Sequence, residues 1–440
     1  NGLFRQLMAG TGVFLVVISL FLAFVVQSDL ATVMSRNLPA PTVAETPSGT
    51  AEVPDIVDFQ KESTANWPSL RGPGGYGVAH SVNAPVQWNV ESGEGVLWSV
   101  ELETKGFNSP IVWGSRLFMS GTNEAGTRVV CFDAGSGEQL WAKPVELTVA
   151  MPDVGEDVGL AAPTMASDGA RVFAIFASGD LAAFDLEGKP VWQKNIGVPD
   201  NPYGMGSSLI SDGERLFVQY DHEDSQKVMA FDCKTGEQVW QMARKHLSWA
   251  TPALISTTNG PLLILNDEQD VTAYDPETGR QIWLVTCLGG EVAPSPAFDG
   301  RDVVFVANEY AQASALKLSG DTATILWQYD DYLPEIASPV AAKDFFFIAT
   351  TVGDLICLDA KTGEAKWEHE CDEGFNSSPV LVGGRVYAID LEGVVHIFNV
   401  AGSYEALGAI PMGEPVSATP AFVNDRISIR TENHLYCIGQ

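Results

Sequence analysis

Six Cys are scattered over 440 residues with no CxxC, no CxxCH and no adjacent pair, which excludes zinc ribbons, c-type haem attachment and thioredoxin-like redox chemistry. The six His (His80, His222, His246, His369, His396 and His434) stand at no metal-ligand spacing, and no G-x-S-x-G nucleophile elbow is present. Positive charge is scarce. With 25 Lys and Arg against 56 Asp and Glu, the net charge is −31, so the molecule as a whole repels phosphate backbones and anionic lipid headgroups and is a poor partner for nucleic acid. Only 18% of residues are charged, against 42 Gly and 25 Pro, which argues against coiled coil and disorder and points to a turn-rich, β-leaning chain.

No charged residue lies between Arg5 and Asp29, and Leu7 to Val26 is long enough at helical rise to cross a bilayer. One transmembrane helix is predicted over residues 7–27, behind a short N-terminal tail at 1–6. A cleavable signal peptide is the rival reading, but its apolar region is usually shorter, and no A-x-A-like site or lipobox Cys follows. Arg5 before the span and Asp29 after it place the body on the periplasmic, extracytoplasmic side. Residues 28–65 hold four Pro among Ser, Thr, Ala and Glu and read as a tether that cannot fold alone.

From residue 66 onward one phrase recurs: CFDAGSGEQLW ending at Trp141, AFDCKTGEQVW at Trp240, AYDPETGRQIW at Trp283 and CLDAKTGEAKW at Trp367, with variants ending at Trp192 and Trp327. Alternating residues before the Asp form a strand, the Asp carboxylate accepts turn N–H groups, and the Gly takes positive φ in the hairpin. The Trp then lies on an outer strand, where its face seals the gap to the next repeat. A second phrase, small residues around Pro before an apolar run, opens each repeat, as in NSPIV from Asn108, PSPAF from Pro294 and SSPVL from Ser377. There are eight such openings, and the period of 40 to 51 residues is that of one four-stranded propeller blade. Trp98 is an outer-strand Trp with no inner strands before it, while residues 417–439 supply three strands and no Trp. The expected fold is an all-β, eight-bladed propeller over residues 66–440, its last blade completed by residues 86–102.

The phrase A-x-D-x-x-T-G-x-x-x-W resembles the tryptophan-docking repeat of the pyrroloquinoline-quinone (PQQ)-like propellers, and NWPSLRGPGGYGV at 66–78 resembles their lead-in. That resemblance implies structural, blade-docking roles for Trp98, Trp141, Trp192, Trp240, Trp283, Trp327 and Trp367. It also implies two functional wings: quinoprotein dehydrogenases, and cofactor-free scaffolds such as the propeller subunit of the outer-membrane β-barrel assembly machinery. The dehydrogenases resemble one another in an adjacent Cys–Cys disulfide against the quinone, a calcium held by Glu and Asn, and often a haem module. Neither the adjacent Cys pair nor CxxCH occurs here, so no cofactor, metal or catalytic residue is expected. The repeated Asp133, Asp185, Asp232, Asp275 and Asp359 read as turn caps, since one carboxylate per blade lies too far from the next to share an ion.

Cys131, Cys357 and Cys437 stand where other repeats carry Ala, so they read as small buried fillers, and mostly free thiols are expected. The connections from each outer strand to the next inner strand share one face, and several are acidic. The candidate partner face comprises Asp153, Glu156, Asp157, Asp200, Asp330, Asp331, Glu335, Asp372 and Glu373, with Tyr203, Tyr332 and Phe375 as apolar anchors. Arg244, Lys245 and His246 form a basic island in one such loop. The favoured function is a membrane-anchored, non-enzymatic scaffold or accessory subunit that docks other membrane or envelope proteins through this face and through the span. Two alternatives stand beside it: a quinoprotein oxidoreductase lacking the usual disulfide, and an ectodomain binding a small molecule or glycan.

Overall fold

The computed structural model describes residues 59–80, 83–150, 152–155, 159–223 and 225–440. The expected tail, span and most of the tether lie outside the described residues, and among those described no helix is long and apolar enough to cross a membrane. A short helix, Phe59–Ser63, falls within the expected tether and packs on the propeller, where Phe59 stacks on Trp113 with ring centroids 5.4 Å apart.

Eight antiparallel sheets follow one another along the chain. Blades 1 to 7 each take four consecutive strands, beginning with the inner strand Ile111–Trp113 and ending with the outer strand Ala406–Pro411. Blade 8 combines Ala421–Val423, Arg426–Arg430 and His434–Ile438 with an outer strand from the other end of the chain, Val96–Glu101, which pairs antiparallel with His434–Ile438. This pairing shuts the ring and leaves no blade short of a strand.

Local chemistry makes the hairpins. Oδ1 of Asp232 accepts the N–H groups of Lys234 and Thr235, at 2.9 and 2.8 Å, and Asp133, Asp275 and Asp359 cap their turns in the same way. A register shift between the third and fourth strands then sets each Trp opposite a small residue: Trp141 faces Cys131, Trp192 faces Ala183, Trp240 faces Ala230, Trp367 faces Cys357 and Trp98 faces Cys437. A larger side chain there would collide with the indole. All six Cys are free thiols.

Each indole leans onto the following blade. Trp192 Nε1 donates to the Cys233 carbonyl at 2.9 Å, Trp240 to Pro276 at 3.0 Å and Trp327 to Ala360 at 2.9 Å, with Trp98, Trp141 and Trp367 repeating the contact. The turn glycine of the receiving blade lies flat against the indole: a Cβ on Gly236 would fall 2.6 Å from Trp192, and one on Gly279 2.7 Å from Trp240. Positive φ (69° and 72°) and this close approach both require Gly. Trp283 is the exception. It meets blade 5, whose turn is two residues longer in the repeat, and its Nε1 is buried without a hydrogen-bond partner.

A second set of bonds encircles the axis. The backbone N–H of Ser109 donates to Thr164 Oγ1, Thr164 to Ser208, Ser208 to Thr251, Thr251 to Ser295, Ser295 to Ser338, Ser338 to Ser378, Ser378 to Thr419, and Thr419 back to Ser109. Every link is 2.9 to 3.0 Å, and every member is buried. These are the small polar residues of the phrase that opens each repeat. The donor and acceptor of each link come from adjacent blades, so the circuit exists only when all eight are in place.

Candidate functional site

The two faces of the ring differ. On the face of the turns between first and second strands, residues 66–79 lie across the axis and touch the inner strands in succession. Trp67 exchanges two backbone bonds of 2.8 Å with Val112 in blade 1, Pro68 accepts from Ser167 in blade 2, and Gly74 and Gly75 press on the carbonyls of Leu254 and Pro252 in blade 4. Val78–Ala79 then adds to blade 7 as a parallel strand. At the centre, the fully buried Arg71 donates to the carbonyls of Gly75 and Pro296, at 3.2 and 3.0 Å, and to that of Pro339. Burial lowers its pKa to about 9, still above neutrality, so a cation held by carbonyl dipoles closes this mouth of the funnel. The lead-in stood in the sequence as a family signature, but its role as a plug was not legible there.

The opposite face carries the connections between blades and the hairpins between second and third strands, and here the expected partner-face residues fall into two sectors. Asp153, Asp200 and Tyr203 occupy loops joined by a bond from Gly155 N–H to the Pro202 carbonyl, and Tyr203 packs edge-on against Trp249 at 5.3 Å. Asp153, Asp200 and Tyr203 are exposed. Asp330, Asp331, Tyr332 and Glu335 are exposed in the connection from blade 5 to blade 6, and Asp372 and Glu373 in the next one. The hairpin turn 350–353 lies between these, with the Thr351 hydroxyl donating to Glu335 at 3.1 Å and Gly353 against the Glu373 carbonyl. Glu156 and Asp157 lie outside the described residues.

Two expectations are corrected. Phe375 is no surface anchor: its N–H donates to the Thr350 carbonyl at 3.0 Å, which turns the ring inward to full burial against His396. Nor is Arg244 part of an exposed basic island. Its guanidinium is buried between blades 3 and 4, 3.2 Å from Asp221 and 3.6 Å from Asp267, because those carboxylates draw it in. Another buried cation, Arg430, joins blade 8 to blade 1 by donating to the backbone carbonyl and the side-chain Oδ1 of Asn108, at 3.1 and 2.8 Å.

One cluster has the outline of a nucleophile with its base. Cys371 Sγ lies 3.9 Å from His396 Nδ1, and His396 Nε2 lies 2.8 Å from Asp390. Burial, followed by Asp390, Asp354 and Asp372, pushes the Cys371 thiol up to about 12. The nucleophilic thiolate is therefore suppressed rather than activated at neutral pH, and the cluster serves to tie the blade 6 connection to blade 7. Among the described residues no three His, Cys, Asp or Glu side chains are placed to hold a metal ion.

Over residues 73–220, 224–338 and 332–405 the sequence matches the profile of the family described as "Outer membrane protein assembly factor BamB". The chain belongs to the BamB family. It is 25% identical to the BamB of Moranella endobia over 240 residues, 52% of this chain and 56% of that protein. It is 28% identical to the BamB of Salmonella typhimurium over 239 residues, 50% and 58% of the two. The matches thus span little more than half the length of these curated relatives. Among solved structures, BamB from Moraxella catarrhalis is similar with a TM-score of 0.56 at 17% identity, over 78% of this chain and 96% of that one. Quinohemoprotein alcohol dehydrogenase from Comamonas testosteroni is similar with a TM-score of 0.64 at 12% identity, over 86% and 82%. At these identities the structural likenesses show the fold alone. The quinone and calcium of the dehydrogenase wing do not fit the residues of this BamB-family chain. It has no vicinal Cys pair, its described carboxylates converge on no shared cation position, and Arg71 already fills one mouth of the funnel with hydrogen bonds made internally.

Proposed function

We propose that this BamB-family propeller is a non-catalytic, membrane-anchored scaffold or accessory subunit of an outer-membrane protein assembly complex. The propeller stands on the periplasmic side and meets partner proteins through the acidic loop face. The observation that carries this reading is the family match across most of the propeller, and the exposed carboxylates and tyrosines of the two loop sectors support a docking role for that face. In the same reading, residues 7–27 anchor the chain, the tether up to the helix Phe59–Ser63 that packs on the propeller sets its reach, and the seven Trp hold the blades in register so that the loops are displayed on a stiff platform. Affinity tagging of the full chain, gentle detergent extraction and mass spectrometry of companions test it. Co-purification of envelope assembly proteins is expected. A monomer without companions, or release from membranes by alkaline carbonate, overturns the scaffold or the anchor respectively.

A further inference from the structure

Blades 5 and 6 raise a patch on the loop face that the fold itself does not need. Tyr310 is 90% exposed and Val352 77%, the two most exposed large apolar side chains among the described residues, and Ile336 and Tyr332 on the adjoining connection are exposed at 43% and 40%. They sit on three neighbouring loops laced together: Glu309 N–H donates to the Pro334 carbonyl at 2.9 Å, and the Thr351 hydroxyl donates to Glu335. Apolar side chains held outward on a braced support mark interaction sites.

The backbone points the same way. Among the described residues five non-glycine residues have positive φ, including Tyr310 at 61° and Tyr332 at 36°. Of the other three, Arg71 is held by the plug, and Asn424 and Asp425 are residue types that tolerate the left-handed region. The two tyrosines are not, and exposure means that burial does not offset their strain. Strain without a packing return is the mark of a side chain kept in place for contact with something else.

Charge selects the occupant. Segments 287–296, 307–313, 329–338, 349–354 and 368–376, which form this sector, contain no Lys or Arg, while Glu309, Asp330, Asp331, Glu335, Asp372 and Glu373 all lie in them. The field acts on the patch itself: Glu368, followed by Asp331, raises the pKa of the exposed Tyr332 hydroxyl. A second copy of the chain would bring another net charge of −31, and an anionic lipid surface is repelled as well.

We infer that the blade 5–6 sector docks an extended protein segment in which aliphatic or aromatic side chains alternate with Lys or Arg. The apolar side chains seat on Tyr310, Ile336 and Val352, and the cations face the carboxylate rim. This inference rests on the scaffold reading and specifies the chemistry of its partner. Apolar contact supplies the lifetime of the complex, whereas the carboxylates speed encounter and reject acidic competitors.

The test is fluorescence anisotropy with the purified full chain and three labelled twelve-residue peptides, alternating Lys–Leu, Glu–Leu and Lys–Ser. Binding of Lys–Leu alone is expected, weakening several-fold between 50 and 500 mM salt. The Tyr310→Asn/Val352→Ser double variant should lose at least tenfold in affinity with a melting temperature no lower than that of the wild type, since Asn tolerates the left-handed backbone at 310. Asp330→Asn/Asp331→Asn should flatten the salt dependence, and Tyr203→Ser, in the other sector, should change nothing. Equal binding of Glu–Leu, absence of Lys–Leu binding, or indifference to the Tyr310/Val352 change overturns the inference. Companions retained by both the wild type and the double variant in the extraction experiment refute the patch alone. Lys–Leu binding by a chain that extracts without companions refutes the scaffold reading and leaves the patch standing.

Discussion

Replacing Gly279 by Ala isolates the contact on which blade docking depends. Gly279 has φ of 72°, and an added Cβ would stand 2.7 and 2.8 Å from two atoms of the Trp240 indole and 3.1 Å from the Met242 methyl. Gly413 offers a control of nearly equal backbone geometry, with φ of 76° and nothing within 4 Å of its virtual Cβ. Left-handed backbone costs an L-residue about 1 kcal/mol at either position. At Gly279 the overlap adds about 1–3 kcal/mol, and displacing the indole forfeits the hydrogen bond to the Pro276 carbonyl, worth about 1 kcal/mol more. Gly279→Ala should therefore destabilise by about 3–5 kcal/mol and Gly413→Ala by about 1 kcal/mol. Urea denaturation followed by tryptophan fluorescence reads both as midpoint shifts at constant slope. The two positions should also be coupled: in a Trp240→Leu background the cost of Gly279→Ala should fall towards that of Gly413→Ala. Equal losses in the two single variants, or no coupling to Trp240, would refute the role assigned to this contact.

Three further outcomes are expected. Ser295→Ala removes the acceptor of the Thr251 N–H and leaves a buried donor unpaired, at about 1–3 kcal/mol in the same denaturation assay, whereas Ser295→Thr, the residue used at Thr164, Thr251 and Thr419, should be nearly neutral. At Glu414, burial raises the carboxyl pKa, but hydrogen bonds from Thr431, Asn433 and His434 outweigh it and leave the pKa below its ordinary 4.5. The stability this group contributes is present above pH 4.5 and lost as pH falls through the lowered value, so Glu414→Gln should flatten the acid limb of a melting-temperature profile, and an unchanged limb would contradict this account. Tyr310→Gly relieves the left-handed strain and should stabilise by about 1 kcal/mol, seen as a raised urea midpoint.

The blades were legible because their determinants are local. Asp, Gly and Trp lie within ten residues of one another, and each acts through a turn that the sequence spells out. The same locality set the limit. Ser295 reads only as a small residue beside Pro, since its hydroxyl acquires a role from Thr251, in the preceding blade. Arg71 reads as part of a lead-in because, Gly75 apart, its acceptors Ser295, Pro296 and Pro339 lie more than 220 residues away. Phe375 misled for the opposite reason: an aromatic in an acidic loop suggests exposure until the bond to Thr350 turns it under. Arg244 misled likewise, since neither Asp221 nor Asp267 is near it in sequence. Surface chemistry was partly legible, in that acidity marks a face, but which apolar side chains stand free on it depends on backbone angles that composition does not carry.

The lead-in has a kinetic corollary. Residues 66–79 meet the inner strands of blades 1, 2 and 4 and the carbonyls of Ser295, Pro296 and Pro339 before joining blade 7, so this early stretch cannot finish seating until nearly the whole polymer has collapsed around it. It functions as an inspector of completeness. An intermediate lacking blade 5 or blade 6 would leave the guanidinium short of acceptors, and one lacking any wedge would leave the serine–threonine circuit broken at two points, so the ring locks only when the final strand arrives.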